Sequence, residues 1–280
     1  MHPGNERNET DGSGNEGREG WSRRAYLGVA AAAGASALAG CSGQGSTVSA
    51  ARRPPKVPEG RLDEGGWEQT DDVTDDPAFE QSVGPMTLTA ATRTLLYEDT
   101  ALRERIAEQT LGRADAQLAT FFATRATFDP DITSLPAGAG RQQLLDRVES
   151  QSQQAFQSRL KQAGLTDVTK TSEETMQVAS GAEARLTNFE ATYAFDGFSV
   201  DLGDRKIAIE GGEITVAGHL AAWIGDGSVL VTGGAYPDEN FEREVTKSPS
   251  EAISLTVDVD LGLEPETYRD ELFGLMKRVR

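Results

Sequence analysis

Most hydrolytic and metal chemistry begins at histidine or cysteine, and this chain contains almost none of either. Its 280 residues include 2 histidines and 1 cysteine. His2 stands near the start, which leaves His219 in the body of the chain and Cys41 alone. A Ser-His-Asp site could be built only around His219, and no G-x-S-x-G elbow accompanies it. His219 alternates with Ala217, Ala221 and Trp223, the spacing of one strand face, so it reads as a packed or partly exposed structural histidine. A zinc site would need more His or Cys than the chain has. Gly211-Gly212 and Gly233-Gly234 lie between or after strand-like runs and do not open helices, so neither makes a phosphate loop. Asp258, Asp260 and Gly262 share a fragment of calcium-loop spacing, but the third acidic ligand and the distal Glu are missing. Asp71, Asp72, Asp75 and Asp76 read as a solvated acidic turn, with loose cation binding as the alternative. Acidic residues number 45, too many to single out the carboxylate pair a hydrolase would use. The expectation is no catalytic, cofactor-binding or metal-ligating residue, no cofactor and no enzyme activity. The alternative is a hydrolase working through carboxylates or bound cations.

Cys41 has a different chemistry available. It ends an uncharged, alanine- and glycine-rich run over residues 25–39, preceded by Arg23 and Arg24. As a helix that run is about 22 Å long, short of the roughly 20 residues that span a bilayer core. A charged start, a short apolar stretch and small residues at its end make an export signal. Arg23-Arg24, followed by Tyr26 and Leu27, resembles the twin-arginine motif, and Leu38-Ala39-Gly40-Cys41 resembles a lipobox. The resemblance implies that Cys41 becomes a lipidated first residue and that the twin-arginine translocase is the partner during export. A single cysteine also makes an intramolecular disulfide impossible. The expected organisation is a signal peptide over 1–40, a flexible Gly/Ser/Pro tether over 41–65 and one folded domain over 66–280.

The rest of the chain must supply the fold. Alternating apolar residues predict a strand in 84–97 and another in 116–128, stopping at Asp129-Pro130. Between them, Leu102, Ile106 and Leu111 predict a helix over 100–111 with Asp99 as its N-cap and Gly112 past its end. Leu144, Leu145, Val148, Phe156 and Leu160 make the clearest helical stripe, over 141–163, closed by Gly164. A short strand is expected over 175–179. In 182–195 the alternation slips one residue at Thr187-Asn188, which predicts a β-bulge. Residues 200–209 predict a hairpin around Gly203-Asp204. The runs 213–224 and 228–235 flank Gly225-Asp226-Gly227, a tight-hairpin signal between two strands apolar on both faces. A last strand over 252–261 precedes a helix over 265–279 with Pro265 in its first turn. The fold class is α+β: a mainly antiparallel sheet of about seven to nine strands with helices packed on it.

Charge adds a setting. The chain has 45 acidic against 27 basic residues, a formal net charge of −18, and only 6 of the basic residues are lysine. Self-repulsion on that scale suits concentrated salt, where the Debye length falls to about 3 Å at 1 M. A merely acidic exported protein from a mesophile is the alternative. So acidic a surface argues against nucleic acid as a partner. Together, the twin arginines, the lipobox and the acidic, lysine-poor domain resemble a haloarchaeal lipoprotein family of unknown function. The long helix, the run of hairpins, the segment Gly218-His219-Leu220-Ala221-Ala222-Trp223 before Gly225-Asp226-Gly227, Leu230 and Gly233-Gly234, and the closing helix resemble the PsbP/Mog1-like fold, an α/β/α sandwich. PsbP-like relatives are accessory or assembly factors, so the resemblance implies binding rather than catalysis. The expected function is a binding or accessory module held on the extracellular side of the cell membrane by lipid on Cys41, with an unidentified surface protein as partner. An exported hydrolase is the alternative, and a transporter's solute-binding lipoprotein a weaker one.

Overall fold

Asp226 and Gly227 both take left-handed backbone angles, φ 50° and 70°. Two such residues in succession make the type I′ turn that matches the twist of its flanking strands. In the computed structural model this turn lies at the end of the sheet's central hairpin. The structure describes residues 53–280 except 111, 113–116, 136–137, 196, 203–204 and 251–252. Arg23, Arg24 and the 38–41 tetrapeptide lie outside the described residues.

The elements begin with α1 (Glu59–Glu64), β1 (Trp67–Val83), β2 (Met86–Asp99), α2 (Thr100–Gln109) and β3 (Thr120–Asp129). Then come α3 (Ala139–Gln162), β4 (Leu165–Gln177), β5 (Glu183–Phe195), β6 (Phe198–Leu202) and β7 (Arg205–Ile209). The chain continues through β8 (Gly212–Gly225), β9 (Ser228–Pro237), β10 (Glu242–Ser250), β11 (Ile253–Asp260) and α4 (Pro265–Met276). Seven strands form one sheet in the order β1-β2-β3-β9-β8-β5-β4. Every neighbouring pair in it is antiparallel. β6–β7 and β10–β11 form separate two-stranded hairpins. The fold is α+β, with an antiparallel sheet as its centre.

All ten residues of β9 are buried, so both faces of the sheet are covered at its middle. Gly233 and Gly234 allow this. A Cβ on Gly233 would come within 2.8 Å of the Phe122 ring, and one on Gly234 within 2.7 Å of Leu272 on α4. Adjacent strand residues point to opposite faces, so one glycine admits an aromatic cluster and the other admits a helix. On the first face, Phe122, Phe156 of α3 and Phe189 meet in series, the first pair tilted and the second edge-to-face, with ring centroids 5.6 and 5.4 Å apart. On the second face, Trp67, Tyr97 and Phe121 gather with α2 and α4. The caps fall where the side chains dictate. The Asp99 carboxylate accepts from the Leu102 amide at 2.9 Å to start α2, and Pro265 opens α4.

Four expectations are corrected. Residues 53–65 are not tether: Pro55 is buried, Leu62 of α1 is 3% exposed, and Lys56 exchanges backbone hydrogen bonds of 2.7 and 2.9 Å with Arg280. Pro55, Val57 and Leu62 hold this segment against the core, too few to register as a pattern. The acidic stretch 71–76 is not a turn but the middle of β1, an edge strand. Asp72 there accepts from Arg93 of β2 at 2.8 and 2.5 Å. The strand expected over 175–179 is the last part of β4, the opposite edge strand, which starts ten residues earlier at Leu165. The phase slip at Thr187-Asn188 is not a bulge in β5, whose pairing with β8 runs unbroken from Arg185 to Phe195. Ala184 and Leu186 face the α4 side, while Phe189 and Ala191 face α3, so the buried side changes while the strand continues. The irregularities fall instead on β4, between Thr166 and Thr169 and between Lys170 and Ser172.

Candidate functional site

The two faces of the sheet are covered by helices of unequal length. α3 has 24 residues, about 36 Å of helix, and it touches both edge strands, β1 and β4. α4 has 12 residues, about 18 Å, and packs chiefly on β9. α2 joins α4 on the β1 side, where Arg105 Nη1 donates to the Tyr268 hydroxyl at 3.5 Å. The other flank of α4 is left open over β8, β5 and β4. There a groove of about 400 Å³ runs between the helix and the edge strand. Leu186, Asn188 and His219 form its floor, Arg269, Phe273 and Lys277 its helical wall, and Glu174 to Gln177 the opposite side.

The floor holds a directed hydrogen-bond chain across four strands. Asn188 Nδ2 donates to Ser172 Oγ at 2.8 Å and to Glu174 Oε1 at 3.0 Å. Its Oδ1 is therefore the acceptor for His219 Nδ1, 2.6 Å away, which places the imidazole proton on Nδ1. Nε2 is left to accept from the Tyr236 hydroxyl at 3.3 Å. The His219 ring stacks on Tyr236 with centroids 5.6 Å apart and lies 4.7 Å from Phe273. Burial, helped by the positive charge of Arg269, lowers the His219 pKa to about 4. Burial, helped by Asp238, raises that of Tyr236 to about 12. Both groups are neutral at pH 7, and each imidazole nitrogen already has a partner. Such a histidine orders the floor of a groove; it is not free to take a proton from a substrate.

The wall carries the charge. Arg269 and Lys277 stand four residues on either side of Phe273, at 6.0 and 5.7 Å from its ring centroid. Among the described residues neither enters a salt bridge. The α3 face differs: Arg185 Nη1 donates to Asp146 at 2.5 Å and Glu149 at 2.9 Å, and Nη2 to Gln142 at 2.7 Å. Gln153 of α3 donates to Thr187 at 2.9 Å. These contacts fasten α3 to β5, and Asp146 and Glu149 hold the Arg185 pKa above its ordinary range.

His219 lies on the strand face expected for it, with Ala217, Ala221 and Trp223, and belongs to the groove. The other residues singled out by sequence do not come together. Asp72 pairs with Arg93 across the far edge. Asp260 Oδ1 accepts from Asn240 Nδ2 at 2.7 Å and the Gly262 amide at 2.8 Å, forming a turn. Among the described residues no group of three or more His, Cys, Asp or Glu could hold a metal ion. None of their helices is long and apolar enough to cross a membrane. Sequence reasoning missed Asn188 and Glu174, which reach His219 only through strand pairing. It also missed the 269/273/277 stripe, whose four-residue spacing was legible on the closing helix.

Residues 54–280 match the model of DUF6517, a domain of unknown function, and the chain belongs to that family. Neither a curated protein nor a solved structure matches the chain.

Proposed function

We propose that this DUF6517 chain is a lipid-anchored binding module of the extracellular face of the cell membrane, and that the groove beside α4 is where it binds. The observation that carries the reading is the groove itself, floored by a neutral, fully partnered His219 and walled by two cations outside any described ion pair. A saturated floor with charged groups at one wall suits recognition, in which a few polar groups orient a ligand over apolar surface. It leaves His219 no free lone pair to act as a base, so hydrolysis in this groove would fall to the Glu174 carboxylate alone. Leu38-Ala39-Gly40-Cys41 and Arg23-Arg24 support the lipid on Cys41 and export by the twin-arginine translocase. The net charge of −18 supports membership of the haloarchaeal lipoproteins. An antiparallel sheet between a long helix and a closing helix supports the likeness to the PsbP/Mog1-like fold, and with it an accessory role beside a surface protein.

Native mass spectrometry of the full chain released from its own membranes tests the binding role. The expected result is a bound small molecule that Phe273→Ala, which removes the groove's half-buried aromatic wall, releases. A chain that carries nothing, or an adduct indifferent to the substitution, contradicts it. The anchor has its own test: Cys41→Ser should move the protein from the membrane fraction to the soluble one. Circular dichroism melts from 0.1 to 3 M KCl test the salt setting, with a rising midpoint expected as the repulsion is screened.

A further inference from the structure

The groove's chemistry narrows its ligand, an inference that rests on the groove being the binding site. Its floor offers a ligand no free donor. His219 Nδ1–H is committed to Asn188, and both Asn188 Nδ2 protons to Ser172 and Glu174. What remains toward the β4 side is acceptor character, chiefly the Glu174 carboxylate, which repels an anion and drives it to the opposite wall. That wall supplies the donors. Arg269 and Lys277 are exposed, flank a half-buried Phe273 and belong to no salt bridge among the described residues. Eight residues, about 12 Å of helix, separate their backbones, so a compact anionic head seated against one side chain lies nearer that cation than the other. A single cation suits a singly charged head better than a doubly charged phosphate. Arg269 is the better of the two, because its planar fork meets a carboxylate with two parallel hydrogen bonds. Its charge also reaches the groove interior, where it adds to the lowering of the His219 pKa. Phe273 on the helical wall, Leu186 on the floor and Met176 on the opposite side give apolar surface for the body of a ligand.

We propose that the groove takes a small amphiphilic monocarboxylate, its carboxylate on Arg269 and its apolar body on Phe273, Leu186 and Met176. Lys277 flanks the apolar body at the end away from the head and adds longer-range attraction only.

The chain has only 4 methionines, and this makes the test sharp. Met176 lines the groove, while Met86 begins β2 near the opposite edge of the sheet. The full chain, labelled with 13C at its methionine methyls and held in detergent, is titrated with phenylacetate, phenylacetamide and phenethylamine. These share an aromatic body and differ in charge. Phenylacetate should move the Met176 methyl resonance, leave Met86 in place, and bind about tenfold or more tightly than the amide. Arg269→Gln should bring phenylacetate to the level of the amide, Arg269→Lys should restore part of the difference, and Lys277→Gln should cost about threefold or less. Both positions are exposed, so the three variants keep the fold. If the amide or the amine moves Met176 as tightly as phenylacetate, or if Arg269→Gln changes nothing, the carboxylate assignment is wrong and the groove remains a binding site for something else. If no probe moves Met176, both the assignment and the groove as binding site are overturned.

Discussion

The α3 face and the α4 face of the sheet are built from similar materials and end differently. On the first, a 24-residue helix reaches both edge strands, three phenylalanines interlock beneath it, and Arg185 ties it down with two carboxylates. On the second, a 12-residue helix stops over β9 and leaves its outer flank, with two cations and a half-buried aromatic, facing an open groove. Helix length decides the difference. About six strand spacings of 4.8 Å make a sheet near 29 Å wide, which 36 Å of helix can cross and 18 Å cannot. One face is therefore structural, and the other has room for a ligand.

Truncating the aromatic at each helix should break that symmetry most visibly. Phe156 is 5% exposed between two other rings, so Phe156→Ala should cost about 3–5 kcal/mol in denaturant unfolding. Phe273 sits at the groove's rim, and Phe273→Ala should cost about 1 kcal/mol or less. Comparable losses would mean that α4 is as tightly bound as α3.

Acid should act on the open face first. The folded His219 pKa is depressed to about 4 from 6.5, so the unfolded chain binds the extra proton between those values. Stability from this group is complete above about pH 6.5, falls as pH drops toward 4, and is fully lost below that, a term of up to about 3 kcal/mol. Unfolding from pH 7 to 4 should lose that much more in the native chain than in His219→Gln, a comparison that cancels the carboxylates common to both. Equal pH slopes would show that His219 is solvated.

The clasp on the closed face should matter less. Arg185 is 37% exposed at its side chain, so solvent screens its pairs with Asp146 and Glu149. Arg185→Ala should cost about 1 kcal/mol, and less as salt is raised. A loss that does not respond to salt would point to packing instead.

The contrast between faces also sorts what could be read from the sequence. The centre was legible. β8 and β9 are apolar on both sides, Asp226-Gly227 fixes their turn, and the stripes of α3 and α4 announce which faces they bury. The edges were not. β1 and β4 are exposed along much of both faces, so their residues follow the composition of a polar surface and show no alternation. The switch of buried side within β5 imitates a bulge, because a one-residue phase change looks the same in sequence whether the backbone slips or the covering helix changes. The groove was half legible. His219 and the spacing of Arg269, Phe273 and Lys277 are local facts. The contact of His219 with Asn188, and through it with Glu174, depends on register across three strands, which no local pattern specifies.

The most direct measurement is a crystal structure of the full chain isolated from its own membranes. Density for a small molecule between α4 and β4, one end within hydrogen-bond distance of Arg269 and the other against Phe273, is the result expected. A groove holding only water, or a molecule seated elsewhere on the chain, would contradict the assignment of the open face as the binding site.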